Sequence, residues 1–254
     1  MRTLGLLGGM SWESTLVYYR ALNQGAARRL GGLHSAPLRL HSFDFAPLAA
    51  LQQQGDWDAA AAQLAAAARG LQAAGAEGLL IASNTMHKLA PSVGAIGLPL
   101  LHIGDAVGAA VKNAGLCRVG LLGTRFTMEE DFLRVHLARH HGVELLVPEP
   151  ADRQTVHRVI YDELCRGVVT DASRAGYLGI IDRLVAGGAE GIVLGCTEIG
   201  LLLDAGALPV PGFDSTLLHV EQALDWMLAT AAPSPAPQGK PAAAPRQATQ
   251  GDAA

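Results

Sequence analysis

Short apolar blocks alternate along this chain with longer stretches in which apolar positions recur at helical spacing. Leu4-Gly5-Leu6-Leu7 is followed by a helical stretch from Ser14 to Leu30, and that by Leu38-Arg39-Leu40-His41-Ser42. From Asp56 to Ala74 the chain is rich in Ala, Leu and Gln, with Gly75 placed as a C-terminal stop. Gly78-Leu79-Leu80-Ile81-Ala82 then reads as a buried strand. Apolar strands separated by helices predict a parallel sheet covered on both faces, an α/β fold.

The pattern repeats. Ala74-Gly75-Ala76-Glu77-Gly78-Leu79-Leu80-Ile81 is matched 113 positions later by Gly187-Gly188-Ala189-Glu190-Gly191-Ile192-Val193-Leu194. Gly5-Leu6-Leu7-Gly8 is matched 115 positions later by Gly120-Leu121-Leu122-Gly123. Two matches at nearly one offset predict duplicated halves, each a supersecondary unit of the same kind. The expected division is a first α/β domain over 1–114 plus 207–231, a second over 115–206, and a tail over 232–254. The tail is rich in Pro and Ala and is expected to be disordered. Under the repeat, Ser83 is equivalent to Cys196, Asn84 to Thr197 and Thr85 to Glu198. Ligands of open α/β sheets bind beyond the carboxyl ends of the strands, so these two tripeptides define an expected site between the halves.

Composition narrows the class. Half of the 254 residues are hydrophobic and 17% are charged, enough apolar surface for a sizeable core. The net charge of -4, without a basic stripe and with few aromatic residues, argues against a nucleic-acid partner. No apolar run is long enough for a membrane span, and the first apolar stretch is too short for a signal peptide. The three cysteines, Cys117, Cys165 and Cys196, form no CxxC pair, so reduced thiols and a cytoplasmic location are expected. The nine histidines show no HExxH or comparable spacing, and no metal site is expected.

Cys196 ends a predicted strand, where a following helix N-terminus is expected to lower its pKa. Cys117 and Cys165 have no such setting and read as structural. Thr124-Arg125-Phe126-Thr127 follows a strand and offers hydroxyl and N–H donors to an anion, or an ordinary helix cap by Thr127 ahead of Met128-Glu129-Glu130. His87, four residues after Ser83, is a second-rank candidate for a proton relay or a structural histidine. The glycine-rich start is neither GxGxxG nor a GK[ST] loop, so it gives little support to nucleotide binding.

Four strings in order, Gly8-Gly9-Met10-Ser11-Trp12-Glu13-Ser14-Thr15, Ser83-Asn84-Thr85-Met86-His87-Lys88, Leu122-Gly123-Thr124-Arg125-Phe126-Thr127 and Gly195-Cys196-Thr197-Glu198-Ile199, resemble the aspartate/glutamate racemase family over about residues 4–228. The resemblance implies two pseudo-symmetric Rossmann-like domains, an active site in the cleft between them, a homodimer, and no cofactor. It implies Cα proton abstraction from aspartate or glutamate and reprotonation on the opposite face, with Cys196 and Ser83 as the flanking groups. It further implies Asn84, Thr85, Thr124, Thr127 and Thr197 as donors to the substrate, Met10 and Gln52 on the cleft wall, Glu198 as a further substrate-binding residue, and Arg166 near a distal carboxylate. Ser83 departs from the cysteine many members carry. A hydroxyl is a poor resting base, so Ser83 is expected to relay a proton through water or His87, with unequal rates in the two directions. The alternatives are a single-cysteine decarboxylase or isomerase of the same fold, and a non-catalytic amino-acid binder.

Overall fold

The computed structural model describes residues 1–229, and the expected tail at 232–254 lies outside the described residues. The first half contains β1 (Leu4–Gly8), α1 (Trp12–Leu30), β2 (Leu38–Ser42), α2 (Phe45–Gln54), α3 (Trp57–Ala73), β3 (Gly78–Ile81), α4 (Ala90–Gly94), β4 (Leu100–Leu101) and α5 (Ile103–Asn113). The second contains β5 (Arg118–Gly123), α6 (Arg125–Glu129), α7 (Asp131–His141), β6 (Glu144–Leu146), α8 (Pro150–Asp162), α9 (Asp171–Ala186), β7 (Gly191–Gly195), α10 (Ile199–Leu202) and β8 (Gly212–Asp214), and α11 (Ser215–Leu228) closes the described chain. Among the described residues no helix is long and apolar enough to cross a membrane.

The two four-stranded sheets are parallel throughout and share one order, β2-β1-β3-β4 and β6-β5-β7-β8. The repeated strings fall on the central strands: β1 pairs with β3 through Leu7 and Ile81, and β5 with β7 through Leu122 and Leu194. Alternation along the first central pair divides its side chains between two cores. Leu7, Leu79 and Ile81 pack beneath α2, α3 and α4 with Leu48, Leu64 and Val93. Leu4, Leu6 and Leu80 pack on the other face with Tyr18 and Leu22 of α1 and Leu224 of α11.

Local chemistry fixes where the strands hand over to helices. Gly9 has a φ of +83°, and a Cβ there would lie 2.3 Å from the Phe43 carbonyl, so the turn after β1 accepts only glycine. Ser11 then caps α1 by accepting from Ser14 N–H. Thr124 caps α6 in the equivalent place after β5. Gly25 on α1 leaves space for Leu224, whose Cδ1 would be 2.1 Å from a Cβ at that position.

The expected domain division needs one correction. β8 pairs with β7 in the second sheet, Val193 opposite Phe213, so the chain recrosses after Asp214 and not at 207. Phe213 is buried in the second core against Gly191. Asp214 caps α11, which packs on α1 and α5.

Candidate active site

The carboxyl ends of the four central strands converge on one cavity. Ser83 and Asn84 follow β3, Cys196 and Thr197 follow β7, and Met10 and Thr124 follow β1 and β5. All of these line the cavity, with Gln52, Thr85 and Glu198. Ser83 and Cys196, each 7% exposed, enter from different domains.

Glu198 organises the thiol side. It is 2% exposed, and its Oε1 accepts from Ser11 Oγ at 2.7 Å and Ser14 Oγ at 2.5 Å. Its Oε2 accepts from Thr197 Oγ1 at 2.8 Å and from the Cys196 thiol at 2.9 Å. Two of these donors belong to α1 and its cap, and two to the loop after β7, so the carboxylate ties the domains together across the cavity. Burial, and then the Glu198 carboxylate, push the Cys196 pKa well above the ordinary thiol value. The expected lowering is therefore corrected: α10 is four residues long, and desolvation outweighs whatever field its first turn supplies.

Three hydroxyls meet at the opposite wall. Thr85 Oγ1 lies 2.8 Å from Thr124 Oγ1 and 3.1 Å from Thr127 Oγ1, which are themselves 3.1 Å apart. Thr127 stands behind Thr124, outside the lining. Asn84 Nδ2 donates to Ser215 Oγ at 3.0 Å, and Ser215 spends its own proton on the Leu194 carbonyl at 2.7 Å. This fixes the amide orientation. Asn84 Oδ1 is consequently a buried acceptor without a protein partner.

Arg166 is not brought to the site. It ends the 3₁₀ turn Leu164–Arg166 and is exposed, because that turn directs Leu164 into the core and Cys165 to the cavity. Cys165, read from sequence as structural, thus lines the cavity, and burial followed by Glu198 raises its pKa. Phe45, Ile160 and Tyr161 also line it without having been anticipated. Tyr161 donates to Gln52 Oε1 at 3.0 Å and stacks near Phe45. The i, i+4 spacing of Tyr161 and Cys165 was the available signal. It was masked because α8 ends at Asp162 and gives way to the tighter turn.

Two sheets of one order, with hydroxyl and thiol at equivalent strand ends, define a two-domain α/β protein with its candidate site between the domains. The chain matches the model of the Asp/Glu/Hydantoin racemase family over residues 7–223. It belongs to that family. It is similar to a crystal structure of a candidate Asp/Glu racemase from Yersinia pestis, at 49% identity and TM-score 0.83, covering 90% of this chain and 100% of that one. An aspartate racemase homologue from Pyrococcus horikoshii is 30% identical with a TM-score of 0.77, covering 89% and 99% of the two chains. The aspartate racemase of Picrophilus torridus, at 17% identity and TM-score 0.70 over 88% and 94%, shares the fold.

Behind Ser83 lies a layer of histidines. His87 Nε2 accepts from Ile103 N–H at 3.1 Å, which leaves the proton on Nδ1 for donation to the Ser83 carbonyl at 2.7 Å. Both nitrogens are committed to backbone, so His87 is a positioning residue and not the anticipated relay to the Ser83 hydroxyl. His219 accepts from Tyr18 Oη at 3.0 Å and donates to the Leu101 carbonyl at 2.9 Å. Farther out, His102, Asp105 and His136 bring potential ligand atoms within 4.8 Å of one another. The sequence reading found no such set because the residues come from two helices and have no local spacing in common.

Burial, and the neighbouring imidazoles of His219 and His136, lower His87 to about 3, while burial lowers His219 to about 4. The unfolded chain takes up both protons near pH 6.5, whereas the folded chain resists until the lower values. Their contribution to stability is thus full above pH 6.5 and declines as pH falls toward 4. Thermal unfolding followed by circular dichroism is expected to show a midpoint several degrees lower at pH 4.5 than at pH 7.5. An equal or higher midpoint at pH 4.5 contradicts this assignment.

Proposed function

We propose that the protein racemises amino acids, acidic ones included, without a cofactor, by exchanging the Cα proton between Cys196 and Ser83. The observation that carries this reading is the placement of these two protic groups at equivalent strand ends, in one closed cavity, from different domains. Removing a proton on one face and returning one on the other requires such a pair.

The Cys196 thiol is the resting form, and Glu198 Oε2 is in position to take its proton. When the α-ammonium group enters beside the Cys196 sulfur it favours the thiolate, so the S–H proton moves to Glu198 and the thiolate removes the Cα proton. The electron pair left on Cα spreads into the α-carboxylate, which the Thr85 and Thr124 hydroxyls suit as donors. The Asn84 Oδ1 acceptor suits an ammonium N–H. Ser83 Oγ delivers a proton to the other face, and the proton held on Glu198 passes through water to the Ser83 oxygen, so that thiol, carboxylate and hydroxyl are all regenerated.

L and D enantiomers have equal free energy, so kcat/KM for racemisation is the same in both directions whichever residues act. The unequal rates expected from sequence therefore belong to hydrogen exchange at Cα and not to net inversion. With the variants in D₂O, Cys196→Ala is expected to lose racemisation by at least a thousandfold. Ser83→Ala is expected to lose it by about 10²–10⁴-fold while still exchanging the Cα proton of one enantiomer alone. Chiral chromatography with proton NMR reads both outcomes; racemisation within tenfold of wild type in Ser83→Ala would sink the two-sided scheme.

Side-chain selectivity follows from the wall. With Arg166 exposed, no arginine or lysine among the described residues lines the cavity, and the polar groups beside Met10 and Phe45 are the Gln52 amide and Tyr161 hydroxyl. These accommodate a neutral amide as well as a carboxylate. Loss of a buried arginine–carboxylate pair costs about 2–5 kcal/mol, roughly thirty- to several-thousand-fold. In the absence of such a pair, aspartate and asparagine are expected to differ by less than tenfold in kcat/KM. A preference for aspartate above a hundredfold, in a steady-state comparison of the purified protein, contradicts this account of the wall.

A further inference from the structure

The contact between α5 and α7 joins the domains on the side away from the cavity, and its polar chemistry is unusual. His102 caps α5, Asp105 lies in its first turn, and His136 and His141 project from α7. Asp105 Oδ1 accepts from His136 Nε2 at 2.6 Å and from His141 Nε2 at 3.0 Å. The rings of His102 and His136 stack at 3.8 Å with an interplanar angle of 9°. All three members of the group within 4.8 Å are half-buried, partly shielded from bulk water yet reachable by a small ion.

The surface of α5 is shaped for these imidazoles. A Cβ on Gly104 would lie 2.8 Å from His136 Cδ2, and one on Gly108 would lie 2.2 Å from His141 Cγ. Two glycines one helical turn apart thus clear the space in which two histidines of the other domain sit. That clearance is the observation, independent of the ligand list, that marks a constructed pocket rather than a chance gathering of polar residues.

We propose that His102, Asp105 and His136 bind a borderline divalent transition-metal ion of the zinc or nickel kind, with His141 as fourth ligand, pinning α5 of the first domain to α7 of the second. Two or three imidazoles and one carboxylate are a donor set suited to such ions, whereas magnesium and calcium prefer oxygen-rich sites. Neutral imidazole is the binding form. Tetrahedral bonds of about 2.1 Å place ligand atoms roughly 3.4 Å apart, so the set closes by about an ångström and the stacked rings splay. His136 moves its proton to Nδ1, Asp105 turns from the imidazole N–H to the ion, and His102 gives up its 3.0 Å cap on Gly104 N–H. No electron transfer or covalent step is involved.

The test uses the full chain without an affinity tag, dialysed against chelator and then chelator-free buffer at pH 7.5. Zinc sulfate is titrated calorimetrically into wild type, His136→Gln and His102→Asn, with circular dichroism confirming that each variant is folded; His102→Asn serves if His136→Gln does not fold. The expected result is one ion per wild-type chain, micromolar or tighter, with affinity at least thirtyfold weaker in the variants. At a hundredfold excess over Kd the ion should raise the melting midpoint of wild type by roughly 5–10 °C. Cobalt(II) substitution should give visible d–d bands without thiolate charge transfer. Absence of saturable binding overturns the proposal. So does affinity unchanged in the variants, or a thiolate band placing the ion on Cys165 or Cys196.

Discussion

A carboxylate buried without a cation is the constraint from which the rest of this site follows. Glu198 lies inside the protein on hydrogen bonds alone, two from Ser11 and Ser14 at the start of α1 and two from Thr197 and Cys196 after β7. Hydrogen bonds to a charged group contribute about 1.5–3 kcal/mol each, and an unsolvated carboxylate without them is far too costly to retain. The closed cleft therefore depends on all four donors. Burial and this carboxylate together hold Cys196 as a thiol at rest, and in the proposed reaction Glu198 accepts the thiol's proton.

Duplication explains how the reacting groups come to oppose one another. Two sheets of identical order present the same strand ends to a common cleft, so a position and its repeat become the two walls of one cavity. Divergence within that frame has been chemical: a hydroxyl at Ser83 and a thiol at Cys196, a histidine layer behind the first and a carboxylate behind the second. The histidine layer reaches the Ser83 carbonyl through His87, which sets the backbone of the loop without touching the hydroxyl. The two faces of a bound substrate thus meet groups of different acidity held by different supports.

Much of this arrangement was legible in the chain. Strand blocks, helix caps and two repeat offsets located β1, β3, β5 and β7, and the register between repeats paired Ser83 with Cys196. Local patterning also marked a helix cap near the end of β5, although on Thr127 where the structure has Thr124 three residues earlier. What escaped was set by contacts between distant segments. The roles of Ser11 and Ser14 depend on a partner more than 180 positions away, and Cys165 reaches the cavity only because α8 tightens into a turn. Arg166 points outward for the same reason. Three residues of β8 are too few to show periodicity, so its place in the second sheet emerges only from pairing with β7. The His102, Asp105 and His136 group joins two helices of different domains and has no signature in either.

The central claim is that a proton leaves one face of Cα and a different proton arrives at the other within the closed cleft. Its most direct test is the fate of deuterium during the first few per cent of turnover of L-aspartate by the wild-type protein in D₂O, purified free of pyridoxal phosphate. Exchange between two separate groups predicts deuterium at Cα in the D-aspartate formed, while unconverted L-aspartate keeps its protium. Protium carried over into the D product would leave a single group serving both faces, and deuterium accumulating in L-aspartate with no D-aspartate formed would leave a single group acting on one face; either result contradicts the account.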